Sequence, residues 1–422
     1  MSETLLSHAV ADWGVVAVFA TVYLGMFLGG LPGLKLDRSG VALLGAIAVL
    51  ALSGRPLATA AQAVDVPTIV LLFAFMVLSA QMRLGGFYTA VTQRVGGLGL
   101  SRPGLLGAII GVAGVLSAVF SNDIICLAMT PVVARPCLQR GLNPVPFLLG
   151  LACAANIGSA ATLIGNPQNM LIGSVLQLPF GAYMRQALVP VVLALGLLWL
   201  WLAYGPGAAS HPDAQAPLKL LPVPATDEPA LDRWQSAKGL SVALALMGVF
   251  LFTDWSRELA ALVGAGLLLL SRRLQSARVM GLVDWPLLLL FMGLFVVNHA
   301  FEQTGLAAQA VAWLAGQGVV LNHPGPLLVA GVLLSNLVSN VPAVMLLLPH
   351  LGSDAQAAGT QLALVSTFAG NLLLVGSIAN LIVVDQARQL GIAVDWKQHA
   401  RTGLPVTLAS LLVVWAWVGW GA

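Results

Sequence analysis

The sequence predicts an all-α polytopic membrane protein, and three observations carry this prediction. Of its 422 residues, 59% are hydrophobic and 8% are charged, with a mean hydropathy of +0.92. This composition leaves too little polar surface for a water-soluble globule. Apolar runs of spanning or near-spanning length recur along the whole chain. Polar stretches that break helices interrupt the apolar pattern at a few places, for example over residues 155–173.

Eight apolar runs are the candidate membrane helices, because a span needs about 20 apolar residues. In chain order they cover residues 13–31, 41–52, 67–81, 186–204, 239–253, 258–270, 285–297 and 405–420. With the interrupted segments between them, we expect about 10–11 membrane helices plus two hairpins. The first ten residues contain no Lys or Arg, so the first run is predicted to be a retained span and not a signal peptide.

An internal repeat organises the chain, with an offset of about 219 between equivalent positions. At this offset Asp65 aligns with Asp284, and Gly86 aligns with Gly305. We therefore predict a first repeat over residues 1–204 and a second over residues 238–422. Residues 205–237 are rich in Pro and carry mixed charges, which is the composition of a linker.

The distribution of basic residues predicts the orientation in the membrane. If the N-terminus lies outside and the segments alternate, Arg55, Arg185 and Arg257 face outward, and the other 16 of the 19 Lys and Arg face the cytoplasm. Equivalent loops of the two halves then lie on opposite faces, so the repeats have inverted topology. We expect a multi-pass protein of the cytoplasmic (inner) membrane, with both termini outside and the linker in the cytoplasm.

Two segments are predicted to be re-entrant hairpins, which enter and leave the membrane on the same face. In the first, the arm that returns from Asn122 to Arg135 has about a dozen residues, roughly 18 Å of helix against a hydrocarbon core of about 30 Å. The second hairpin covers residues 326–350, with its tip at residues 335–342 and arms of about ten residues. Each repeat is therefore predicted to contain spanning helices, one re-entrant hairpin and one broken helix.

The broken helices indicate where a binding site would lie. A break at membrane depth is tolerated only where its free backbone groups line a protein-enclosed or watered cavity. One break is predicted at Gly165-Asn166-Pro167 and the matching one at Gly376-Ser377. Paired breaks in inverted repeats are typical of the midplane site of a transporter. The alternative is that these polar groups only join helices, as in many membrane bundles.

The predicted substrate- and ion-binding residues come from the two hairpin tips and the two breaks. They are Ser121, Asn122, Asp123, Asn156, Thr162, Gly165, Asn166, Asn169, Ser339, Asn340, Asn371, Gly376, Ser377 and Asn380. No Lys or Arg is expected among them, so an anion would be balanced by helix dipoles, amides and co-bound cations.

Asp123 is the only acidic residue within the apolar stretch of either hairpin. A carboxylate inside the membrane indicates function, and Asp123 is predicted to carry the coupling proton or to bind Na⁺. The alternative is that it caps the start of the returning arm. The second hairpin has Val341 at the matching position, so the two ion sites would differ chemically. Asp65 and Asp284, each two residues before a proline, are predicted to be helix caps.

Several functional classes are excluded. The net charge of +3 comes from scattered residues, without the basic patch of a nucleic-acid-binding protein. The chain has no HExxH motif and no acidic partner for Asp123 in its apolar core, so we predict no enzymatic activity. No cofactor is expected besides the coupling ion. There is no phosphate-binding loop, so any ATP drive would need a separate subunit.

Four motifs in order resemble those of the ion-transporter superfamily, which includes ArsB-type arsenite permeases, NhaD-type antiporters, citrate-metal symporters and divalent-anion:sodium symporters. The motifs are Ser121-Asn122-Asp123 with Thr130-Pro131, Asn156 with Gly165-Asn166-Pro167-Gln168-Asn169, Ser339-Asn340-Val341-Pro342, and Gly370-Asn371 with Gly376-Ser377 and Asn380. Asp123 and Val341 stand where the dicarboxylate carriers have Thr. The chain therefore resembles more closely the branch of ArsB-type, NhaD-type and citrate-transporter-like (CitMHS) permeases.

The resemblance implies hairpin tips that meet near mid-membrane and an elevator-like movement of a transport domain against a scaffold. It also implies a homodimer, and a separate ATPase subunit if the protein is of the arsenite type. We predict a secondary active transporter for a small anion or neutral oxyacid, either arsenite-like or a carboxylate or inorganic anion. Transport would be coupled to H⁺ or Na⁺ by alternating access. A NhaD-type Na⁺/H⁺ antiporter and a passive channel are the alternatives.

Overall fold

The computed structural model describes residues 2–31, 33–54, 56–205, 230–352 and 355–421. Within these residues all regular secondary structure is helical, which confirms the predicted all-α class. Most of the predicted linker (residues 206–229) and Arg55 lie outside the described residues.

The described helices form two sets of ten, one on each side of the linker. The first set is α1 (Ser2–Leu28), α2 (Arg38–Ser53), α3 (Leu57–Ala63), α4 (Val66–Leu84), α5 (Phe87–Gly97), α6 (Arg102–Val119), α7 (Asn122–Gln139), α8 (Val145–Ser159), α9 (Pro167–Val175) and α10 (Phe180–Ala203). The second set is α11 (Arg233–Phe252), α12 (Arg257–Leu269), α13 (Ser276–Met280), α14 (Trp285–Gln303), α15 (Leu306–Gly316), α16 (Pro324–Val338), α17 (Asn340–Leu347), α18 (Ala355–Ala369), α19 (Ile378–Gln389) and α20 (Trp396–Gly421), with short 3-10 helices at Leu348–His350 and Leu374–Gly376.

Six of the described helices, namely α4, α6, α10, α11, α14 and α20, are long and apolar enough to cross a membrane. Several others, including α2, α8 and α16, are shorter but also apolar. Large hydrophobic side chains such as Leu244, Phe252 and Leu412 are exposed on the outside of the bundle. Exposed apolar surface of this kind fits contact with lipid. These features agree with the predicted multi-pass membrane protein.

Two aspartates begin equivalent long helices. The Asp65 carboxylate accepts a hydrogen bond from the Thr68 backbone N–H at 2.8 Å at the start of α4. Asp284 does the same for Leu287 at 3.0 Å at the start of α14. Each satisfies one of the backbone N–H groups that have no partner within the first turn. Both residues are therefore helix caps, as predicted.

The helix pattern recurs at the predicted spacing. The offset that aligns Asp65 with Asp284 also aligns both ends of α4 with those of α14, and both ends of α5 with those of α15. Gly86 and Gly305, which precede α5 and α15, both have positive φ, of 68° and 73°. Glycine adopts this conformation without a Cβ clash. Helices α4 and α14 are antiparallel, because Asp65 at the start of one and Glu302 at the end of the other line the same cavity.

The first hairpin consists of α6 and α7. Its returning arm α7 has 18 residues, or about 27 Å of helix, so the prediction of about a dozen residues is wrong. The helix does not end near Arg135 because it continues through Pro131 and Pro136. Proline is tolerated inside a membrane helix where neighbouring helices and side chains satisfy the freed backbone groups. Here α7 packs against α5, α8 and α19.

The second hairpin consists of α16 and α17, with arms of 15 and 8 residues where about ten were expected. The two helices meet at Ser339, which has φ of 78° and ψ of 159°. A residue other than glycine in this region carries strain of about 1–3 kcal/mol. The surrounding contacts therefore hold this tip in an unfavourable backbone conformation.

Both broken helices are present at the predicted places. Helix α8 ends at Ser159 and α9 begins at Pro167, while α18 ends at Ala369 and α19 begins at Ile378. Every residue of α8 is buried, which makes it the central helix of the molecule. Apart from Asn156 and Ser159 near its end, its surface is apolar all round, which is typical of a helix surrounded by others.

Candidate functional site

A group of hydrogen-bonded polar side chains joins the tip of the first hairpin to the two breaks, and we call it the Asn156 cluster. It consists of Asn122, Asn156, Asn371, Ser377 and Asn380. The Asn156 amide donates to Asn371 Oδ1 at 2.8 Å and to Asn380 Oδ1 at 3.2 Å. Its Oδ1 accepts from Asn122 Nδ2 at 3.0 Å and from Ser377 Oγ at 2.9 Å. All hydrogen-bonding positions of this buried amide are therefore filled.

A second group, the Thr367 cluster, consists of Ser159, Asn166, Gln168, Asn169 and Thr367. Asn166 Nδ2 donates to Ser159 Oγ at 2.8 Å and to Thr367 Oγ1 at 3.3 Å. Gln168 Nε2 also donates to Thr367 Oγ1, at 3.2 Å. Asn166 is in addition the cap of α9, since its Oδ1 accepts from the Asn169 backbone N–H at 2.9 Å.

The two clusters arise by an exchange between the halves of the chain. Asn156, before the break in the first half, binds Asn380, which follows the break in the second half. Thr367, before the break in the second half, binds Asn169, which follows the break in the first half. The sequence separation between Asn156 and Thr367 equals that between Asn169 and Asn380. Thr367 was not among the predicted residues, although alignment of the breaks at this separation would have indicated it.

The two hairpin tips carry buried oxygens that have no partner. Asn122 and Asn340 are only 6% and 8% exposed. The Oδ1 atoms of both lack a hydrogen-bond partner among the described residues. The Asn340 amide lies beside Gly370, which precedes a member of the Asn156 cluster. A buried acceptor without a partner costs about 1–3 kcal/mol, so these two carbonyls are the positions that a bound solute or ion would satisfy.

The glycines of the breaks allow close backbone approach. A Cβ on Gly165 would overlap the Ser159 carbonyl oxygen and lie 2.7 Å from the Ser117 carbonyl oxygen. A Cβ on Gly376 would lie 2.8 Å from Asn336 Oδ1. In each half the break therefore packs directly against the outgoing arm of a hairpin, at a distance that only glycine permits.

Two further predicted residues have structural positions at the first hairpin. The Thr162 hydroxyl donates to the Ala118 carbonyl near the end of α6, which joins the break to the hairpin. Ser121 is the cap residue of α7, without a side-chain capping bond. Neither side chain belongs to the two clusters.

Four helices begin at the tips and breaks. These are α7 at Asn122, α9 at Pro167, α17 at Asn340 and α19 at Ile378. The N-terminus of a helix carries a partial positive charge and free backbone N–H groups. Their convergence favours negatively polarised groups, even though no basic side chain belongs to either cluster.

Asp123 lies next to the Asn156 cluster in sequence but lines a separate cavity of about 340 Å³, which we call the Arg83 cavity. Ser79, Arg83, Ser121 and Asp284 line the same cavity. Asp123 makes no capping bond at the start of α7, so the capping alternative finds no support. Arg83 places a basic group in the same cavity as Asp123, although none was expected at the site.

A second cavity, of about 640 Å³, lies at the opposite ends of α4 and α14, and we call it the Glu302 cavity. Gln62, Asp65, Asn298, His299 and Glu302 are its polar side chains. Leu171, two residues after Asn169, lines it too. The two clusters thus have a cavity on either side.

Metal-ligating side chains do not gather in the described part of the chain, where no three His, Cys, Asp or Glu residues could hold one ion. The three cysteines, Cys126, Cys137 and Cys153, are buried and form no disulfide. A hard cation would therefore depend on amide, carbonyl and single carboxylate oxygens.

Comparison with known proteins adds relatives that match nearly the whole chain. A family described as Citrate transporter (CitMHS) matches residues 24–369. The chain is 29% identical to the silicon efflux transporter LSI3 of Oryza sativa subsp. japonica, over 95% of this chain and 94% of that protein. It is 30% identical to the inner membrane protein YbiR of Escherichia coli K12, over 83% of this chain and 87% of that protein.

The fold is similar to the crystal structure of the YdaH transporter of Alcanivorax borkumensis. The TM-score is 0.61 at 15% sequence identity, and the match covers 98% of both chains. At this identity the similarity concerns the fold alone.

Proposed function

Because this chain belongs to the citrate transporter family (CitMHS), we propose that it moves a small oxyacid across the membrane by secondary active transport. Membership confirms the predicted resemblance to the ion-transporter superfamily. Relatives named as transporters confirm that the role is transport and not enzymatic catalysis. The structure supports the substrate class, coupling ion and mechanism that we propose.

The observation that carries the proposal is the pair of unpartnered carbonyl oxygens, Asn122 Oδ1 and Asn340 Oδ1. Such an oxygen can accept a hydrogen bond from an O–H group or bind a cation, but it repels a bare anion. The helix N-termini at the same place favour negatively polarised oxygens. An oxyacid that keeps at least one O–H group meets both requirements.

The position of the first tip supports a site near mid-membrane. Asn156 is the residue that binds the tip residue Asn122, and it lies eleven residues after the start of α8 at Val145. This distance corresponds to about 17 Å of helix, roughly half of a 30 Å hydrocarbon core. It supports a first hairpin that turns back at half depth, although α7 is longer than expected.

Two cavities on opposite sides of a closed centre support alternating access. They lie at opposite ends of α4 and α14, which are about 28 Å long. Asn156, Asn371 and Asn380, between the cavities, are each only 1% exposed. A closed polar centre between two cavities fits a carrier in an occluded state better than an open passive channel.

Na⁺/H⁺ antiport of the NhaD type is a second candidate, and the same two oxygens favour it. Carbonyl and carboxylate oxygens are the preferred ligands of hard cations. Asn122 Oδ1 and Asn340 Oδ1 therefore suit Na⁺ as well as an O–H group. We propose that Asp123, which has Asn122 as its neighbour, carries the coupling H⁺ or Na⁺.

We propose that the linker lies in the cytoplasm and that the membrane is the inner one. The helix order allows ten crossings and two hairpins, if each broken helix counts as one crossing and the short helices α3, α5, α13 and α15 do not cross. This path leaves most Lys and Arg on the linker side. The name of the Escherichia coli relative agrees with an inner membrane location.

The test is transport by the purified protein in liposomes. Arsenite, silicic acid, citrate, succinate and sulfate would each be offered under a separate H⁺ or Na⁺ gradient. We expect gradient-driven accumulation of at least one oxyacid, and a loss of at least tenfold in Asn122→Leu and Asn340→Leu. Thr407→Val is the matched control, since it removes a buried, unpartnered hydroxyl from α20.

The other outcomes decide between the alternatives. Exchange of Na⁺ for H⁺ without any solute would favour the antiporter. Flux that equilibrates a solute but never concentrates it would favour a channel. Full gradient-driven accumulation by Asp123→Asn would refute the coupling role of that carboxylate.

A further inference from the structure

The Arg83 and Glu302 cavities have equivalent positions with opposite chemistry. Ser79 and Arg83 line the first, four residues apart and therefore on one face of α4. Asn298 and Glu302 line the second with the same spacing on α14. The offset that aligns the two helices also aligns Ser79 with Asn298 and Arg83 with Glu302. A guanidinium group thus stands in one cavity where a carboxylate stands in the other.

Two hydrogen-bond donors that line the Arg83 cavity, Ser79 and Arg83, lack a partner among the described residues. Ser79 is fully buried, and its hydroxyl has no partner among the described residues. Tyr88 does not line the cavity, but its buried hydroxyl lies beside that of Ser79 and near Arg83 without reaching hydrogen-bond geometry. Arg83 is half-buried and forms no ion pair within the described ranges. Buried donors without partners are rare in native structures and indicate a missing ligand or strain.

We propose that Ser79 and Arg83 form an oxyanion-binding subsite in the Arg83 cavity. A guanidinium group presents parallel N–H donors that match two oxygens of an oxyanion, and a neighbouring hydroxyl can bind a third. The subsite rests on the proposed function, because it would receive the deprotonated form of the cargo before that cargo reaches the hairpin tips.

The carboxylates of the same cavity restrict the charge of the ligand. Asp123 and Asp284 also line it, so one guanidinium faces two carboxylates. Each added negative charge on a ligand therefore weakens binding, so a small monoanion held by the guanidinium and the Ser79 hydroxyl is favoured over a dianion. The subsite therefore selects a small, singly charged oxyanion.

The Glu302 cavity lacks such a subsite. Asn298 Oδ1 already accepts a hydrogen bond from the Tyr23 hydroxyl at 2.7 Å. Asp65 and Glu302 are its carboxylates, and no Lys or Arg lines it in the described part of the chain. An anion is repelled there, so the proposed subsite serves only one face of the carrier.

The experiment measures binding and needs no transport. Radiolabelled phosphate at pH 6, where it is mainly a monoanion, is equilibrated with purified full-length protein in lipid nanodiscs, and sulfate serves as the dianion. We expect phosphate to bind more tightly than sulfate. Arg83→Gln should raise the phosphate Kd about tenfold or more, Ser79→Ala about threefold, and Arg83→Lys less than Arg83→Gln.

Two controls separate the subsite from general electrostatics. Glu302→Gln changes the equivalent position in the other cavity, and Arg94→Gln removes an exposed guanidinium from α5. Both should leave the phosphate Kd within twofold. Failure of the unaltered protein to bind phosphate, or equal effects of Arg83→Gln and Arg94→Gln, would overturn the proposal. Retained binding of phosphate by Arg83→Lys shows that the site is folded and charge-dependent.

The result is separable from the test of the proposed function. Arg83-dependent phosphate binding together with no gradient-driven accumulation in liposomes would leave the subsite standing and reject secondary transport. Accumulation that depends on Asn122 and Asn340, together with phosphate binding that is unchanged in Arg83→Gln, would support secondary transport and reject the subsite.

Discussion

Replacing Asn156 by Leu tests whether the two halves of the chain are held together through one amide. The substitution keeps the side-chain volume nearly constant and removes four hydrogen bonds. Two donors, Asn122 Nδ2 and Ser377 Oγ, lose their acceptor. Two acceptors, Asn371 Oδ1 and Asn380 Oδ1, lose their donor.

The magnitude follows from these four groups. The Asn371 and Asn380 amide nitrogens keep backbone partners, at Cys153 and Gly370, so only their oxygens are left bare. Each buried polar group without a partner costs about 1–3 kcal/mol. Small shifts let some groups find new partners, so we expect the low end, a loss of about 4 kcal/mol in the free energy of unfolding.

The assay is unfolding by SDS titration in mixed micelles, followed by tryptophan fluorescence, alongside transport in liposomes. Thr407→Val is again the control, because its hydroxyl has no partner and its loss should change stability by less than about 1 kcal/mol. If the stabilities of Asn156→Leu and Thr407→Val agree within about 1 kcal/mol, the Asn156 cluster does not hold the halves together.

Three further predictions concern local structure. Gly165→Ala should abolish transport or folding, because the added Cβ would overlap neighbouring backbone atoms. Gly111→Ala should be neutral, because its Cβ would meet nothing within 4 Å. Expression level and substrate uptake are measured for both variants. Ser339→Gly should raise the free energy of unfolding by about 1 kcal/mol in the SDS titration, and no gain would mean that the tip is unstrained. Asp65→Ala should lower the free energy of unfolding by about 2 kcal/mol, because the helix cap and the hydrogen bond from Ser174 are lost. Asp65→Asn keeps an acceptor and should be near neutral in the same titration.

The sequence predicted the features that depend on local rules. Long apolar runs became helices, and the aspartates before Pro67 and Pro286 became caps, because both depend on neighbouring residues alone. Gly86 and Gly305 aligned in the repeat, and both adopt positive φ. The breaks at Gly165 and Gly376 also lie where the sequence placed them, because glycine disfavours a continuous helix at both and Pro167 begins a new helix at the first.

Features that depend on packing were not predictable. The length of α7 was misjudged because Pro131 and Pro136 end a helix in isolation but not when other helices surround it. Alignment of the breaks could have placed Thr367 opposite Asn156, but its hydrogen bonds to the other half of the chain depend on packing. The pairing of amides with one another, which leaves free oxygens only at Asn122 and Asn340 among the predicted amides, depends on side-chain positions that no motif encodes.

The exchange between Asn156 and Thr367 has a consequence for biogenesis. The first half leaves the ribosome before Thr367 has been synthesised, so for that interval Asn166 and Asn169 lack the hydroxyl that later joins them. In this state Asn166 keeps its bond to Ser159 and the Asn169 amide nitrogen keeps its bonds to Thr162 and Tyr183, but Asn169 Oδ1 lacks its donor. The hydrogen bonds of the two clusters are therefore complete only when the C-terminal half has entered the bilayer and packed against the first half.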